Sequence, residues 1–134
     1  MIEMVIASGH TSTLEHASFT FAIEGVSRVT EIQLIRHRLA SFSIQSGRYV
    51  KRGAAKYVIP KEVAANKTVL KKWKKILTEV NKLYLEATEA GIKAEDARYL
   101  QPQSLETKIV VTINARELLH IFEKRLCLRA QWEI

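Results

Sequence analysis

Two segments of the chain carry apolar residues in patterns typical of β-strands. From Phe19 onward, every second residue of 17–24 is large and apolar, which is the period of two expected of a strand. Residues 107–113 are rich in β-branched side chains and also favour a strand. Residues 41–49 alternate only in part and fit either a strand or an extended loop, and Gly25 predicts a turn after the first strand.

Other segments repeat apolar residues every three or four positions, as amphipathic helices do. The longest repeat runs from Leu70 to Ala87. It predicts a long helix that starts at Pro60, a residue that suits a helix start, and stops at Gly91. A capping box at Ser12–Glu15 predicts a short helical turn, and Asn114 is expected to cap a last helix that runs to Ile134. Further helices are predicted over residues 2–9, from Ser27 to about Leu39, and from Ala94 to just before Pro102.

These elements predict an α+β fold in one domain, residues 1–134. We expect a small, mainly antiparallel sheet that packs against the long helix and the C-terminal helix. Apolar residues make up 47% of the 134 residues, which is enough for one core. No run of 18 apolar residues is present, so no membrane span is expected. The single cysteine, Cys127, fits a reducing cytoplasm.

The charge of the chain predicts anionic partners. The formal net charge is +7, and such a chain attracts nucleic acid, phosphate ligands or acidic surfaces. One basic run spans residues 36–52, ends with Lys51 and Arg52 and contains no acidic residue; a second spans residues 71–75. A nucleic-acid-binding module is therefore one alternative, although aromatic residues are not interleaved with the basic ones as a stacking platform requires. The lysines of the second run are expected to form the solvated face of the long helix.

The most informative stretch of the chain begins at Arg36-His37-Arg38 and continues through Ser41, Ser46 and Arg48. Arginine binds phosphate through two parallel hydrogen bonds, and hydroxyl groups supply further bonds. A site for a phosphorylated ligand is one interpretation. The other is a solvated basic helix end, where cations complement the helix dipole.

This stretch resembles the signature of the flavin-dependent thymidylate synthases, RHRxxSxxxxSxR. Supporting segments flank it in the order that the family shows, so the resemblance covers Gly9 to Ile134. They are Gly9-His10-x-Ser12-x-x-Glu15-His16, Gln33, Thr112-x-Asn114-Ala115-Arg116-Glu117-Leu118 and Arg125-x-Cys127-x-Arg129-Ala130-Gln131-Trp132-Glu133-Ile134.

The resemblance implies a methyltransferase that converts dUMP to dTMP. Methylenetetrahydrofolate would donate the carbon, and FAD, reduced by NADPH, would carry the hydride. It also implies a cytoplasmic homotetramer with active sites where subunits meet, and neither nucleic acid nor membrane as a partner. Alternatives within the same fold are an inactive homologue and one specific for UMP.

The resemblance further implies roles for individual residues. Arg125 and Ser46 would be catalytic, with Arg125 stabilising negative charge on the uracil ring. The residues implied to bind dUMP are Gln33, Arg36, Ser46, Gly47, Arg48, Arg98 and Arg125. The residues implied to contact FAD are Ser12, Glu15, Arg36, His37, Arg38, Asn114, Arg116 and His120.

Several features depart from the resemblance or have a structural interpretation beside it. Ile44, Lys124 and Leu128 differ from the residues usual in the family, and the chain is expected to be incomplete at both ends. Cys127 is expected to be structural and to lie within the last helix, because the family uses no cysteine nucleophile. No metal site is expected, since no pair of histidines or of His and Cys has ligand spacing.

Overall fold

A computed structural model describes residues 2–49, 53 and 55–134. Lys51 and Arg52 of the first basic run therefore lie outside the described residues. Six α-helices are present among the described residues: α1 Ile2–Ala7, α2 Arg28–Leu34, α3 Lys61–Ala65, α4 Lys67–Glu89, α5 Ala94–Ala97 and α6 Ala115–Arg125. Three strands accompany them: β1 Ser18–Ser27, β2 Ser41–Ile44 and β3 Glu106–Asn114. Two 3-10 helices span Thr11–His16 and Arg98–Leu100.

The strands form one antiparallel sheet in the order β1-β3-β2, which confirms the predicted α+β class. Strand β2 pairs with β3 in a register that places Ser41 opposite Thr112 and Ile44 opposite Ile109. Along β3 every second residue from Thr107 to Ile113 is buried, the alternation expected when a strand presents one face to a core. The predicted strands at residues 17–24 and 107–113 are both present. Of residues 41–49, which fitted either a strand or an extended loop, the first four form strand β2.

Backbone contacts group the chain into two compact units. The first unit comprises residues 1–23, 30–44 and 109–134. Its core consists of Val111, Ile113 and Ile121, with Phe42 and Leu118 among the partly buried side chains packed on it. Helix α6 also packs against the first 3-10 helix. The single domain over residues 1–134 stays a prediction.

The second unit comprises residues 24–29 and 45–108. Helix α4 packs there against α5 and the second 3-10 helix, and it buries Leu77 and Tyr84. The helix predicted as one element from Pro60 to Gly91 is interrupted at Asn66, whose Oδ1 accepts a hydrogen bond of 3.1 Å from the N–H of Val69. A side chain that caps a new helix competes with continuation of the previous one, which explains the break. The lysines of residues 71–75 are exposed, as predicted.

Two predictions at the start of the chain are wrong in detail. Gly25 does not make a turn; it lies inside β1 with φ of 75°, a backbone conformation that glycine adopts without strain. Ser12 does not cap the first 3-10 helix, because the N-cap position is His10, whose side chain makes no capping hydrogen bond. The carboxylate of Glu15, expected to complete the capping box, is instead paired with Arg116.

Two predicted helices end early. Helix α2 stops at Leu34 rather than Leu39, and Ser27, its predicted cap, is the buried last residue of β1. Helix α6 stops at Arg125 rather than Ile134, so Cys127 lies beyond it and is exposed. Apolar residues in the two segments that are not helical remain exposed; they include Leu39 at 76%, Leu126 at 75% and the fully exposed Leu128. A helical turn that buries no apolar surface gains little stability.

Candidate functional site

A cavity of about 500 Å³ lies in the first unit, beside the start of α6. Its size is in the range of ordinary ligand sites. Four of the residues implied to contact FAD line it, together with Leu39 and Glu117. Those four residues are Glu15, Asn114, Arg116 and His120.

Two hydrogen bonds position the cavity walls: one is a local helix cap, and the other joins residues far apart in the sequence. Asn114 caps α6, as predicted: its Oδ1 accepts a hydrogen bond of 2.9 Å from the N–H of Glu117. That bond uses only the amide oxygen of Asn114, so its two N–H donors are not consumed by the cap. Glu15, on the first 3-10 helix, accepts a hydrogen bond from Nη1 of Arg116. This ion pair joins residues 101 positions apart and fixes the guanidinium at the cavity wall.

His37 forms a buried polar cluster in the same unit. The tight turns after α2 carry it inward, with a backbone bond of 3.1 Å from His37 N–H to the carbonyl of Leu34. Nε of Arg125 donates a hydrogen bond of 3.2 Å to Nε2 of His37. On the other side of the ring, Nδ1 lies 3.7 Å from Oε1 of Glu117. The rings of His37 and His120 meet edge to face with centroids 6.5 Å apart.

The environment of His37 favours its neutral form. Burial lowers its pKa, and the positive charge of Arg125 lowers it further, while the carboxylate of Glu117 opposes this effect. His120 contributes a further small lowering of the pKa. The bond from Arg125 requires a lone pair on Nε2, which only a neutral ring with its proton on Nδ1 offers. The geometry and the direction of the pKa shift therefore agree.

The second unit contains an arginine site organised by one glutamate. Nε of Arg48 donates a hydrogen bond of 2.6 Å to Oε2 of Glu95, and Nε of Arg98 donates one of 3.1 Å to the backbone carbonyl of Glu95. A Cβ built on Gly47 would lie 3.6 Å from Cδ of Arg98, so the turn at residue 47 passes directly beside that side chain. Ser46 joins the group, since its Oγ accepts a bond of 3.1 Å from the N–H of Arg48.

This arginine site suits an anion. Both bonds to Glu95 use the Nε–H group, so they do not consume the terminal nitrogens that bind phosphate best. The guanidinium of Arg48 also lies 5.2 Å from the ring centroid of Tyr49. A cavity of about 330 Å³ is lined by residues of this unit, among them Gly47, Arg98 and Arg28.

The predicted site residues therefore fall into two groups. The first unit holds Gln33, Arg36, Arg125 and all the residues implied to contact FAD; the second holds Ser46, Gly47, Arg48 and Arg98. Within the first unit, Ser12, Arg36 and Arg38 are exposed and do not line the cavity, while Gln33 is half-buried on α2. Of the departures from the family pattern, Ile44 pairs with Ile109 in the sheet, and Lys124 lies 3.9 Å from Glu123.

Sequence reasoning missed two acidic residues at these sites. Glu117 stands three residues after the capping Asn114, a position that signals a capping box, but its carboxylate faces His37 instead. The carboxylate of Glu95 pairs with Arg48, 47 residues earlier in the chain, and no local spacing signals that contact. Among the described residues, no group of three His, Cys, Asp or Glu side chains is placed to hold a metal ion. No described helix is long and apolar enough to cross a membrane.

Comparison with known proteins decides the family. The family described as "Thymidylate synthase complementing protein" matches residues 1–134. A protein of Pyrococcus furiosus named "Flavin-dependent thymidylate synthase" is 48% identical over 134 residues, which cover 97% of this chain and 55% of the relative. The chain belongs to this family. A protein of the same name from Pyrococcus horikoshii is 52% identical with the same coverage, and one from Nitratidesulfovibrio vulgaris is 47% identical over 141 residues, 99% of this chain and 58% of the relative.

Membership of the flavin-dependent thymidylate synthase family indicates which ligands the residues of each site should be compared with. The chain spans 55–58% of the length of these curated relatives. The donors at the cavity of the first unit fit a flavin nucleotide, since Arg116 suits a pyrophosphate, Asn114 and His120 offer hydrogen bonds, and Leu39 offers an apolar surface. The arginine site of the second unit fits a phosphate group.

Proposed function

We propose that this chain is the flavin- and nucleotide-binding part of a thymidylate synthase that methylates dUMP to dTMP. The observation that carries the proposal is the cavity of the first unit. Two residues far apart in sequence, Glu15 and Arg116, meet at its wall in an ion pair. Asn114 and His120 line the same cavity, and the relatives named flavin-dependent thymidylate synthases support a flavin as its occupant.

The cofactor site is proposed to use the chain's own residues as follows. Arg116 would pair with the pyrophosphate of FAD while Glu15 keeps its guanidinium in position. Asn114 would donate through its amide nitrogen, and His120 would contribute a ring nitrogen. Bound FAD, reduced by NADPH, would supply the hydride chemistry, and the protein would supply position and electrostatics.

The residues proposed to bind dUMP are assigned from the family resemblance, separately in each unit. Arg48 and Arg98 would bind the phosphate of dUMP, with Ser46 and Gly47 supplying further bonds from the adjoining turn. Arg125 would stand at the uracil ring, where a fixed cation stabilises the anionic charge that develops when a one-carbon group from methylenetetrahydrofolate is added. Gln33 and Arg36 would complete the set of dUMP contacts.

The remaining parts of the proposal concern assembly and compartment. A homotetramer with active sites at subunit interfaces is proposed from the family, and Arg38, His37 and Ser12 are proposed as further FAD contacts. A cytoplasmic location is proposed because Cys127 is a free, exposed cysteine, and a reducing compartment keeps such thiols free.

Flavin retention is the experiment that tests this function. The purified chain, mixed with FAD and passed through gel filtration, is expected to keep absorbance at about 450 nm, a property of the flavin itself. Added dUMP is expected to perturb that spectrum. Arg116→Gln is expected to lose the flavin, while Lys75→Gln, which removes an exposed cation from α4, is expected to keep it.

The outcomes separate the alternatives. A folded chain that retains no flavin contradicts the proposed cofactor site. A flavin spectrum perturbed by UMP as strongly as by dUMP contradicts the proposed substrate and favours the UMP-specific alternative. DNA binding that weakens with salt, without bound flavin, favours the nucleic-acid-binding module.

A further inference from the structure

Glu117 and His37 form a buried acid–base pair in the first unit, and the resemblance assigned no role to Glu117. Only 6% of Glu117 and 9% of His37 are exposed. A buried carboxylate is costly unless a polar partner compensates it. The backbone of Glu117 is fixed by the Asn114 cap at 2.9 Å, so its side chain starts from a defined position.

The contacts run in order from Glu117 through His37 to Arg125. Oε1 of Glu117 lies 3.7 Å from Nδ1 of His37, and Nε2 of the same ring accepts the 3.2 Å bond from Nε of Arg125. A carboxylate facing Nδ1 attracts the ring proton to that nitrogen and leaves the lone pair on Nε2. The opposite tautomer would present an N–H to the guanidinium and break the contact.

We propose that Glu117 is a positioning residue for Arg125 and acts through the His37 ring. By holding the proton on Nδ1, Glu117 orients the ring so that Nε2 binds the guanidinium of Arg125. The contact uses only Nε–H of Arg125, so it does not consume the terminal nitrogens. Second partners of this kind fix the tautomer of functional histidines in metal sites, and their loss lowers affinity there.

Other charged groups near the ring do not explain this arrangement. His120 lies beside the His37 ring, but as a base or cation it does not attract the Nδ1 proton as a carboxylate does. Its own acidic neighbour, Glu123, lies 3.9 Å from it and is 71% exposed. Glu123 is therefore a matched control, because it is a glutamate on the same helix that lies beside a histidine but is exposed to solvent.

Nuclear magnetic resonance of the chain labelled with 15N-histidine and 15N-arginine tests the proposal without any ligand. In the wild-type chain, at about pH 7.5, His37 is expected to be neutral with its proton on Nδ1. Glu117→Gln is expected to increase the Nε2–H tautomer, lower the pKa of His37 further and speed the exchange of the Arg125 Nε proton. Glu117→Asp is expected to restore part of each effect, and Glu123→Gln is expected to change none of them.

The results decide the proposal even if Glu117→Gln does not fold. An Nε2–H tautomer or an imidazolium in the wild-type chain contradicts it directly. In a folded Glu117→Gln variant, His37 and Arg125 signals like those of the wild type also contradict it.

Titration with dUMP links the positioning to the proposed function, on which this last step rests. Glu117→Gln is expected to weaken dUMP binding about 10-fold, the scale of one hydrogen bond, and Glu123→Gln is expected to leave it unchanged. Wild-type affinity in Glu117→Gln, despite altered His37 signals, refutes a role in substrate binding. If the wild type binds no dUMP while the resonances respond as expected, the proposed function fails and the positioning by Glu117 stands.

Discussion

The bond between Arg125 and His37 connects the protonation of one ring to the position of one cation. A neutral ring accepts the 3.2 Å bond from Arg125. A protonated ring has no lone pair to offer and repels the guanidinium. Protonation of His37 should therefore disturb the position of Arg125, and it requires a pH below the ordinary histidine value of about 6.5, because burial lowers the pKa of this ring.

Stability is expected to fall as the pH falls through the range where free histidine titrates. Burial lowers the pKa of His37 in the folded chain, so the unfolded chain binds the proton more strongly. Below about pH 6.5, protonation of the unfolded chain favours unfolding. The stability contributed by neutral His37 is lost as the pH falls through the pKa of His37 in the folded chain. Urea unfolding at several pH values should show this slope, and His37→Gln should reduce it. An equal reduction in His16→Gln, which changes an exposed histidine, would contradict this assignment.

Arg48→Ala is expected to weaken dUMP binding by about 1.5–3 kcal/mol, the range for hydrogen bonds to charged groups. The variant removes one guanidinium of the arginine site and leaves the carboxylate of Glu95 without its 2.6 Å partner. Arg48→Lys should recover only part of the loss, because an ammonium cannot reproduce the planar geometry. Calorimetric titration measures both affinities. Lys75→Ala, an equal change of charge on an exposed face, should match the wild type; unchanged affinity in Arg48→Ala would remove Arg48 from the site.

At the scale of the element, an asparagine caps the N-terminus of a helix in each of the two units. Asn66 Oδ1 begins α4 with a bond of 3.1 Å to Val69, and Asn114 Oδ1 begins α6 with a bond of 2.9 Å to Glu117. Either change to alanine should cost about 1 kcal/mol of folding free energy, within a range of about 0.5–2 kcal/mol. Only Asn114 also lines the cavity proposed to hold flavin.

Asn114→Asp should therefore separate the cap from the cofactor contact. Aspartate caps a helix as well as asparagine does, so chemical unfolding should show stability close to the wild type. It lacks the amide N–H donors, so flavin retention should fall. Asn66→Ala should lower stability and keep the flavin, and a variant Asn114→Asp that binds flavin like the wild type would show that the amide donors do not contact it.

The sequence predicted the elements whose signals are local. The β-branched run of β3 and the cap at Asn114 each depend on neighbouring residues, and both are present. The ends of α2 and α6 depend on whether Leu39 and Leu126 find a surface to cover, and a periodic pattern does not contain that information. The break at Asn66 was missed because Pro60 suits a helix start and therefore predicts one whole helix from that residue onward.

The same limit applies to the candidate site. A motif with fixed spacing indicated Arg36, His37 and Arg48, because a motif records residue types in order. It could not show that His37 turns inward to Glu117, or that Arg48 pairs with Glu95, since both depend on side chains from other elements. The acidic partners were therefore missing from the predicted set.

At the scale of the whole molecule, the candidate residues for the flavin cavity and for the phosphate of dUMP lie in different units. The flavin candidates line a cavity of the first unit, and the phosphate-binding candidates Arg48 and Arg98 belong to the second. Each ligand should therefore leave its own pattern of protection on the backbone, because ligand contacts reduce local opening.

Hydrogen exchange measured by mass spectrometry should resolve these patterns. FAD is expected to slow exchange in peptides covering residues 11–16 and 114–125, where the cavity walls and the α6 cap lie. Because Arg48 and Arg98 carry the proposed phosphate contacts, dUMP is expected to slow exchange at residues 45–49 and 94–101. The exposed lysine face of α4 at residues 71–75 serves as an internal control. Neither ligand should slow its exchange by more than the global stabilisation that affects all peptides. Protection by FAD confined to the second unit would place the flavin outside the cavity of Glu15 and Arg116.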